Sequence, residues 1–191
     1  MSLEPLFTST AVVAVGEIGD KTQLLAIVLA ARFRKPWPII AGILGATILN
    51  HTLAATLGYL MADLLSGVGF RLAVGAAFLA MAGWALVPDK ADDAATARTR
   101  GGVFLTTLFS FFLVEIGDKT QIATSLLAAR YHQIAMVAAG TTLGMLIADV
   151  PAVFLGEAAT RIVPLRYVRI AAAVLFAVIG VWVILAAFRV V

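Results

Sequence analysis

The seven residues EIGDKTQ occur twice in this 191-residue chain, at 17–23 and at 115–121. The offset of 98 between them holds without a gap far beyond the motif. LAAR at 29–32 returns at 127–130, and Ala41-Gly42 returns as Ala139-Gly140. Gly58 matches Gly156, Arg71 matches Arg169, Phe78 matches Phe176 and Trp84 matches Trp182. Alanine and leucine recur by chance in an apolar chain, but Trp, Arg and a seven-residue polar string do not. Such a chain folds as two copies of one unit. The first repeat covers residues 1–87, a linker follows at 88–102, and the second repeat covers 103–191.

Each copy holds three apolar runs of roughly the 20 residues that cross a bilayer as a helix. The six expected spans are Pro5–Ala31, Pro38–Leu60, Val68–Val87, Val103–Ala129, Ile134–Gly156 and Val168–Phe188. The chain is 62% hydrophobic and 13% charged, half the charge of an ordinary soluble domain. The expected fold class is therefore an all-α integral membrane protein. With three spans per copy, an odd number, the second copy enters the membrane from the opposite side, which makes an inverted repeat. The N-terminus MSLEPLF has no basic n-region, so no cleaved signal peptide is expected. Cysteine is absent, so thiolate metal sites are excluded. The basic residues form short clusters between apolar runs rather than a nucleic-acid-binding face. One side collects Arg32, Arg34, Lys35, Lys90, Arg98, Arg100, Arg161, Arg166 and Arg169, while the other collects only Arg71, Arg130 and Arg189. The richer side is expected to be cytoplasmic, with both termini outside, or in the lumen if the membrane is an organelle's.

Within this apolar chain Glu17, Asp20 and Lys21 stand near the middle of the first span, and Glu115, Asp118 and Lys119 near the middle of the fourth. Three ionisable groups at a helix centre cost on the order of 8–10 kcal/mol to insert. They are tolerated where they face one another, an ion or a water-filled cavity. Glu17 and Asp20 are i and i+3, on one helical face, and Glu17 and Lys21 are i and i+4, in the favourable order for a salt bridge. Gly19 allows close approach or local unwinding. Thr22, Gln23, Thr120 and Gln121 add neutral oxygens. Inversion sets Glu17 and Asp20 opposite Glu115 and Asp118, a hard oxygen site suited to Mn²⁺, Ca²⁺ or Mg²⁺ rather than to Zn²⁺ or Cu⁺. The plain alternative is a set of salt bridges that only hold the helices together.

With both motif copies in place, the chain resembles the small cation/proton antiporters of bacteria, chloroplasts and Golgi, six-span proteins with a doubled E-x-G-D-[KR]-[ST] motif. The resemblance covers essentially the whole chain. It implies export of Mn²⁺, and in some members Ca²⁺, in exchange for protons, with the four motif acids as ion-binding residues. It also implies a bacterial plasma-membrane form, since the longer N-terminal extensions of organellar members are absent. The metal is then cargo, and no resident cofactor is expected; the partners are the cation, protons and the lipid bilayer.

Asp149 and His51 occupy equivalent positions in the fifth and second spans. Each is a candidate for proton relay or for partnering a motif lysine. For His51 the competing reading is a histidine hydrogen-bonded between helices. Gly140-x-x-x-Gly144, mirrored by Gly42-x-x-x-Ala46, predicts close helix packing. Trp84 and Trp182 are expected at membrane interfaces. Glu157 and Asp63, near span ends, are expected to be solvated. An exporter of a cationic organic solute such as lysine is an alternative within transport. An intramembrane enzyme is disfavoured, because neither H-E-x-x-H nor G-x-S-x-G occurs.

Overall fold

A computed structural model describes residues 2–64, 67–87, 102–155 and 165–188. Its described residues form eight helices and no strand: α1 (Glu4–Glu17), α2 (Lys21–Phe33), α3 (Pro36–Leu64), α4 (Val68–Ala85), α5 (Gly102–Glu115), α6 (Lys119–Tyr131), α7 (Ile134–Leu155) and α8 (Leu165–Phe188). In hydrocarbon every backbone polar group must be satisfied within its own segment, which these apolar sequences achieve as helices. Within α3, α4, α7 and α8 lie four stretches long and apolar enough to cross a membrane: Pro36–Ala62, Val68–Ala85, Ile134–Leu155 and Ile170–Phe188. The surface is apolar, with Phe109, Leu113, Ile147 and Val178 each more than half exposed. Glu17, Glu115, Asp149 and His51 are buried. Polar groups inside and apolar groups outside is the arrangement a lipid solvent selects.

The first and fourth expected spans are corrected. Neither is a continuous helix; each breaks at its motif into two half-helices of about 20 Å. At the first break Ile18 has φ −62° and ψ 115° and Gly19 has φ 81°, while the Asp20 amide donates to the Glu17 carbonyl at 3.0 Å. These are the features of a type II β-turn, which needs positive φ at its third residue and so favours glycine. The second break repeats it, with Gly117 at φ 75° and the Asp118 amide 3.0 Å from the Glu115 carbonyl.

The helices then pack across the two halves. α1 lies on α7, and a Cβ added at Gly140 would sit 2.5 Å from the Leu6 carbonyl and 2.9 Å from Ser9 Cβ. α5 lies on α3, and a Cβ at Gly42 would meet the Phe104 carbonyl at 2.8 Å and Thr107 Cβ at 2.7 Å. Leu6 and Ser9 are the offset partners of Phe104 and Thr107, so the same contact is made twice. The predicted small-residue packing is thus present at both copies. α4 and α8 pack together, and the offset partners Phe78 and Phe176 stack there with ring centroids 6.4 Å apart.

α2 and α6 also end alike. Arg34 (φ 53°) and His132 (φ 51°) are left-handed caps whose amides donate to Ala30 and Ala128 at 2.9 Å. A left-handed conformation costs a non-glycine residue about 1–2 kcal/mol. Arg34→Gly is therefore expected to raise the unfolding temperature of the purified protein slightly; a lower value would mean that the arginine side chain outweighs the strain.

Residues 88–101 of the linker, Gly156, Glu157, Arg161 and Arg189 lie outside the described residues, as do the side chains of Asp63, Arg166 and Arg169.

Candidate ion-binding site

The motif sequence builds the site step by step. Glu17 is the last residue of α1, Ile18-Gly19 is the turn, and Asp20 is the N-cap of α2 with Lys21 at its first position. Glu115, Ile116-Gly117, Asp118 and Lys119 repeat this order. Neither Asp20 nor Asp118 caps its own helix through its side chain. Their carboxylates instead point toward the junction of the two breaks, where the positive ends of α2 and α6 favour negative charge.

Carboxylate oxygens of Glu17, Asp20 and Asp118 all lie within 4.8 Å of one another, and all three residues are buried. Lys21 Nζ stands 3.1 Å from Asp118 Oδ1, so the lysine of one motif pairs with the aspartate of the other. The i,i+4 pairing expected between Glu17 and Lys21 is corrected, because the turn separates these residues into different helices. The Thr22 hydroxyl donates to Glu17 Oε2, and the Thr120 hydroxyl donates to Asp118 Oδ2 at 3.3 Å. Lys119 Nζ donates to the Val87 carbonyl at 3.3 Å and lies 5.8 Å from the centre of the Trp84 ring.

The fourth motif acid stands apart. Glu115 is buried, accepting from Thr47 Oγ1 at 3.0 Å and from Asn50 Nδ2 at 2.7 Å. The two glutamines also have a different part from the one expected. Gln23 Oε1 accepts the Gly19 amide at 2.9 Å, and Gln121 Oε1 accepts the Gly117 amide at 2.7 Å. Each reaches back over its helix start, a relative of the capping box that satisfies an amide the break would leave bare. Gln23 Nε2 also donates to the Ala148 carbonyl at 3.1 Å, which ties the first break to α7. Next to that contact Asp149 is fully buried, and neither of its oxygens makes a protein hydrogen bond. It lies within electrostatic reach of Glu115 and Asp20. His51 is buried with both ring nitrogens unbonded, so the inter-helix hydrogen bond weighed for it is not made. Sequence reasoning missed Thr47 and Asn50. Asn50 in the middle of an apolar span was the available signal.

A cavity of about 20 Å³ touches Gly19, Asp20, Lys119 and Thr120 and extends to Ala85 and Phe176. That is room for about one water-sized occupant. A wider cavity of about 440 Å³, lined by Gly67, Arg71, Arg130 and His132, lies away from the carboxylates, and its basic lining is the wrong sign for a cation.

An apolar helical body around buried carboxylates defines an integral membrane protein of the ion-transporting class. The chain belongs to the divalent cation/proton antiporter GDT1 family, whose family model matches residues 5–93 and 103–190. This is a family of transporters rather than of enzymes. A Vibrio cholerae protein named "Putative manganese exporter" is 51% identical over 172 residues, covering 90% of this chain and 86% of its own. A GDT1-like protein of Synechocystis is 30% identical over 169 residues, covering 76% of this chain and 79% of its own. GDT1-like protein 3 of Oryza sativa is 29% identical over 199 residues, covering 91% and 71% respectively. No solved structure matches the chain.

Proposed function

We propose that this protein exports a divalent cation, Mn²⁺ before Ca²⁺, from the cytosol in exchange for protons. The observation that carries this reading is the meeting of Glu17, Asp20 and Asp118 at two mid-span helix breaks, with Lys21 on Asp118. Carboxylates bind either a hard cation or protons, and that competition couples the two fluxes. Lys21 holds Asp118 when no metal is there, and the arriving ion displaces it. The preference for Mn²⁺ follows the name of the Vibrio relative. Six spans as two inverted halves, 1–87 and 103–191, fit the way contacts repeat at the offset of 98. In this reading the two breaks exchange access to the two sides while the site stays near mid-depth. Asp149, buried and without a hydrogen bond beside the site, fits a proton-carrying role.

The test uses the purified chain in proteoliposomes with an imposed pH gradient. Mn²⁺ movement should require the gradient and dissipate it, with Ca²⁺ a weaker competitor and lysine none. Flux indifferent to pH overturns proton exchange, and competition by lysine favours an exporter of organic cations. The orientation has a separate check, made simple by the absence of cysteine. In bacterial inner membrane, a cysteine at position 2 should react with an impermeant reagent from the periplasm, and one at position 95 should not. The opposite pattern reverses the assigned topology.

A further inference from the structure

We propose that Thr47 and Asn50 are positioning residues that hold Glu115 away from the three-carboxylate site, so that the two motif glutamates do different work. The inference rests on the transport reading above and goes beyond it by dividing the site.

Glu115 has a donor on each oxygen: Thr47 Oγ1 on Oε1 and Asn50 Nδ2 on Oε2. Asn50 Nδ2 also bonds the Phe112 carbonyl at 3.1 Å, one turn before Glu115 on α5, which fixes the amide's orientation. Both α3 residues are buried, so no water competes for these bonds. The offset of 98 turns this into a comparison within one molecule. The positions on α7 equivalent to Thr47 and Asn50 are Met145 and Ala148, whose side chains offer no donor. Glu17 correspondingly receives the Thr22 hydroxyl on Oε2, while its Oε1 makes no protein hydrogen bond. Identical motifs thus end in different states because the helices packed against them differ.

The consequence concerns affinity. Hard-cation sites are tuned by how many charged ligands they present. Glu115 and Asp118 stand at the two ends of one turn, with the Asp118 amide 3.0 Å from the Glu115 carbonyl, so a released Glu115 would start three residues from a carboxylate of the site. Three carboxylates bind and let go; four would bind more tightly and release slowly.

The experiment is direct Mn²⁺ binding to the purified full-length protein in detergent, with Ca²⁺ as a second probe. Thr47→Val with Asn50→Ala should tighten Mn²⁺ binding, by about tenfold for one added carboxylate ligand, and slow efflux. Thr47→Ser, which keeps the hydroxyl, should behave as wild type. In a Glu115→Gln background the α3 pair of substitutions should leave Mn²⁺ affinity unchanged, because their effect passes through Glu115. Glu115→Gln alone should retain Mn²⁺ binding that Glu17→Gln loses. Unchanged or weaker binding in the folded α3 double variant, or the same shift in the Glu115→Gln background, overturns the proposal. So does a loss in Glu115→Gln as large as in Glu17→Gln, a comparison that holds even if the α3 variants fail to fold. A wild type that binds neither ion overturns the transport reading itself.

Discussion

Glu17→Gln, Asp20→Asn and Asp118→Asn are each expected to lower Mn²⁺ efflux by roughly a hundredfold while the protein still inserts and folds. Each exchange keeps shape and removes a charge from the point where the three carboxylates meet. A charge-assisted contact is worth up to about 3 kcal/mol, which corresponds to about two orders of magnitude. Folding should be spared, because the turns rest on Gly19, Gly117 and the glutamine amides rather than on the acids. Asp118→Asn also removes the charge 3.1 Å from Lys21 Nζ, so it should be the least stable of the three. The measurement is efflux from cells or proteoliposomes, normalised to the protein recovered from the membrane. Near-wild-type efflux from any two of the variants would mean that the cluster only holds helices together.

The second large effect is on stability, and it separates two glycines that look alike in sequence. A Cβ at Gly58 would collide with the backbone carbonyl of Ser125 and stand 2.8 Å from its Cα, where α3 crosses α6. Backbone cannot turn aside as a side chain can, so the helices must move apart. They are also tied there by the Ser125 hydroxyl, which donates to the Ala54 carbonyl at 2.9 Å. Gly58→Ala is expected to cost about 3 kcal/mol or more, the upper range for overpacking, and to disturb α6 and with it Asp118. Gly83, exposed on α4, meets nothing within 4 Å. Gly83→Ala should stabilise by up to about 1 kcal/mol, the helix-propensity difference. Thermal unfolding in detergent reads both: Gly58→Ala should melt well below wild type and Gly83→Ala at or above it. A wild-type melting curve for Gly58→Ala would mean that the α3–α6 contact is looser than this geometry.

Much of the protein was legible in its sequence because lipid leaves few options. Runs of some 20 apolar residues must be helical there. The offset of 98 was sufficient to expect that Gly42 and Gly140 make matching contacts, and that acids from both motifs approach one another. The motif even carried the means of its own interruption, since Gly in E-I-G-D permits positive φ and Gln three residues after Asp can reach back to the turn. What the letters left open was whether that permission is used. A continuous helix with i,i+4 pairing satisfies the same local rules. In the folded chain the turn is used, with α1 and α2 both packed on α7 and Gln23 tied to the Ala148 carbonyl. The pairing of Lys21 with Asp118 follows from that turn and crosses 97 residues of chain, so no local spacing could announce it. The tertiary structure alone also separates Glu115 from Glu17. Their motifs are identical letter for letter, and the difference arises where α3 presents Thr47 and Asn50 and α7 has Met145 and Ala148 at the matching positions. Burial makes donors valuable to a carboxylate, and the donors that Glu115 finds on a neighbouring helix become visible only once the helices are packed.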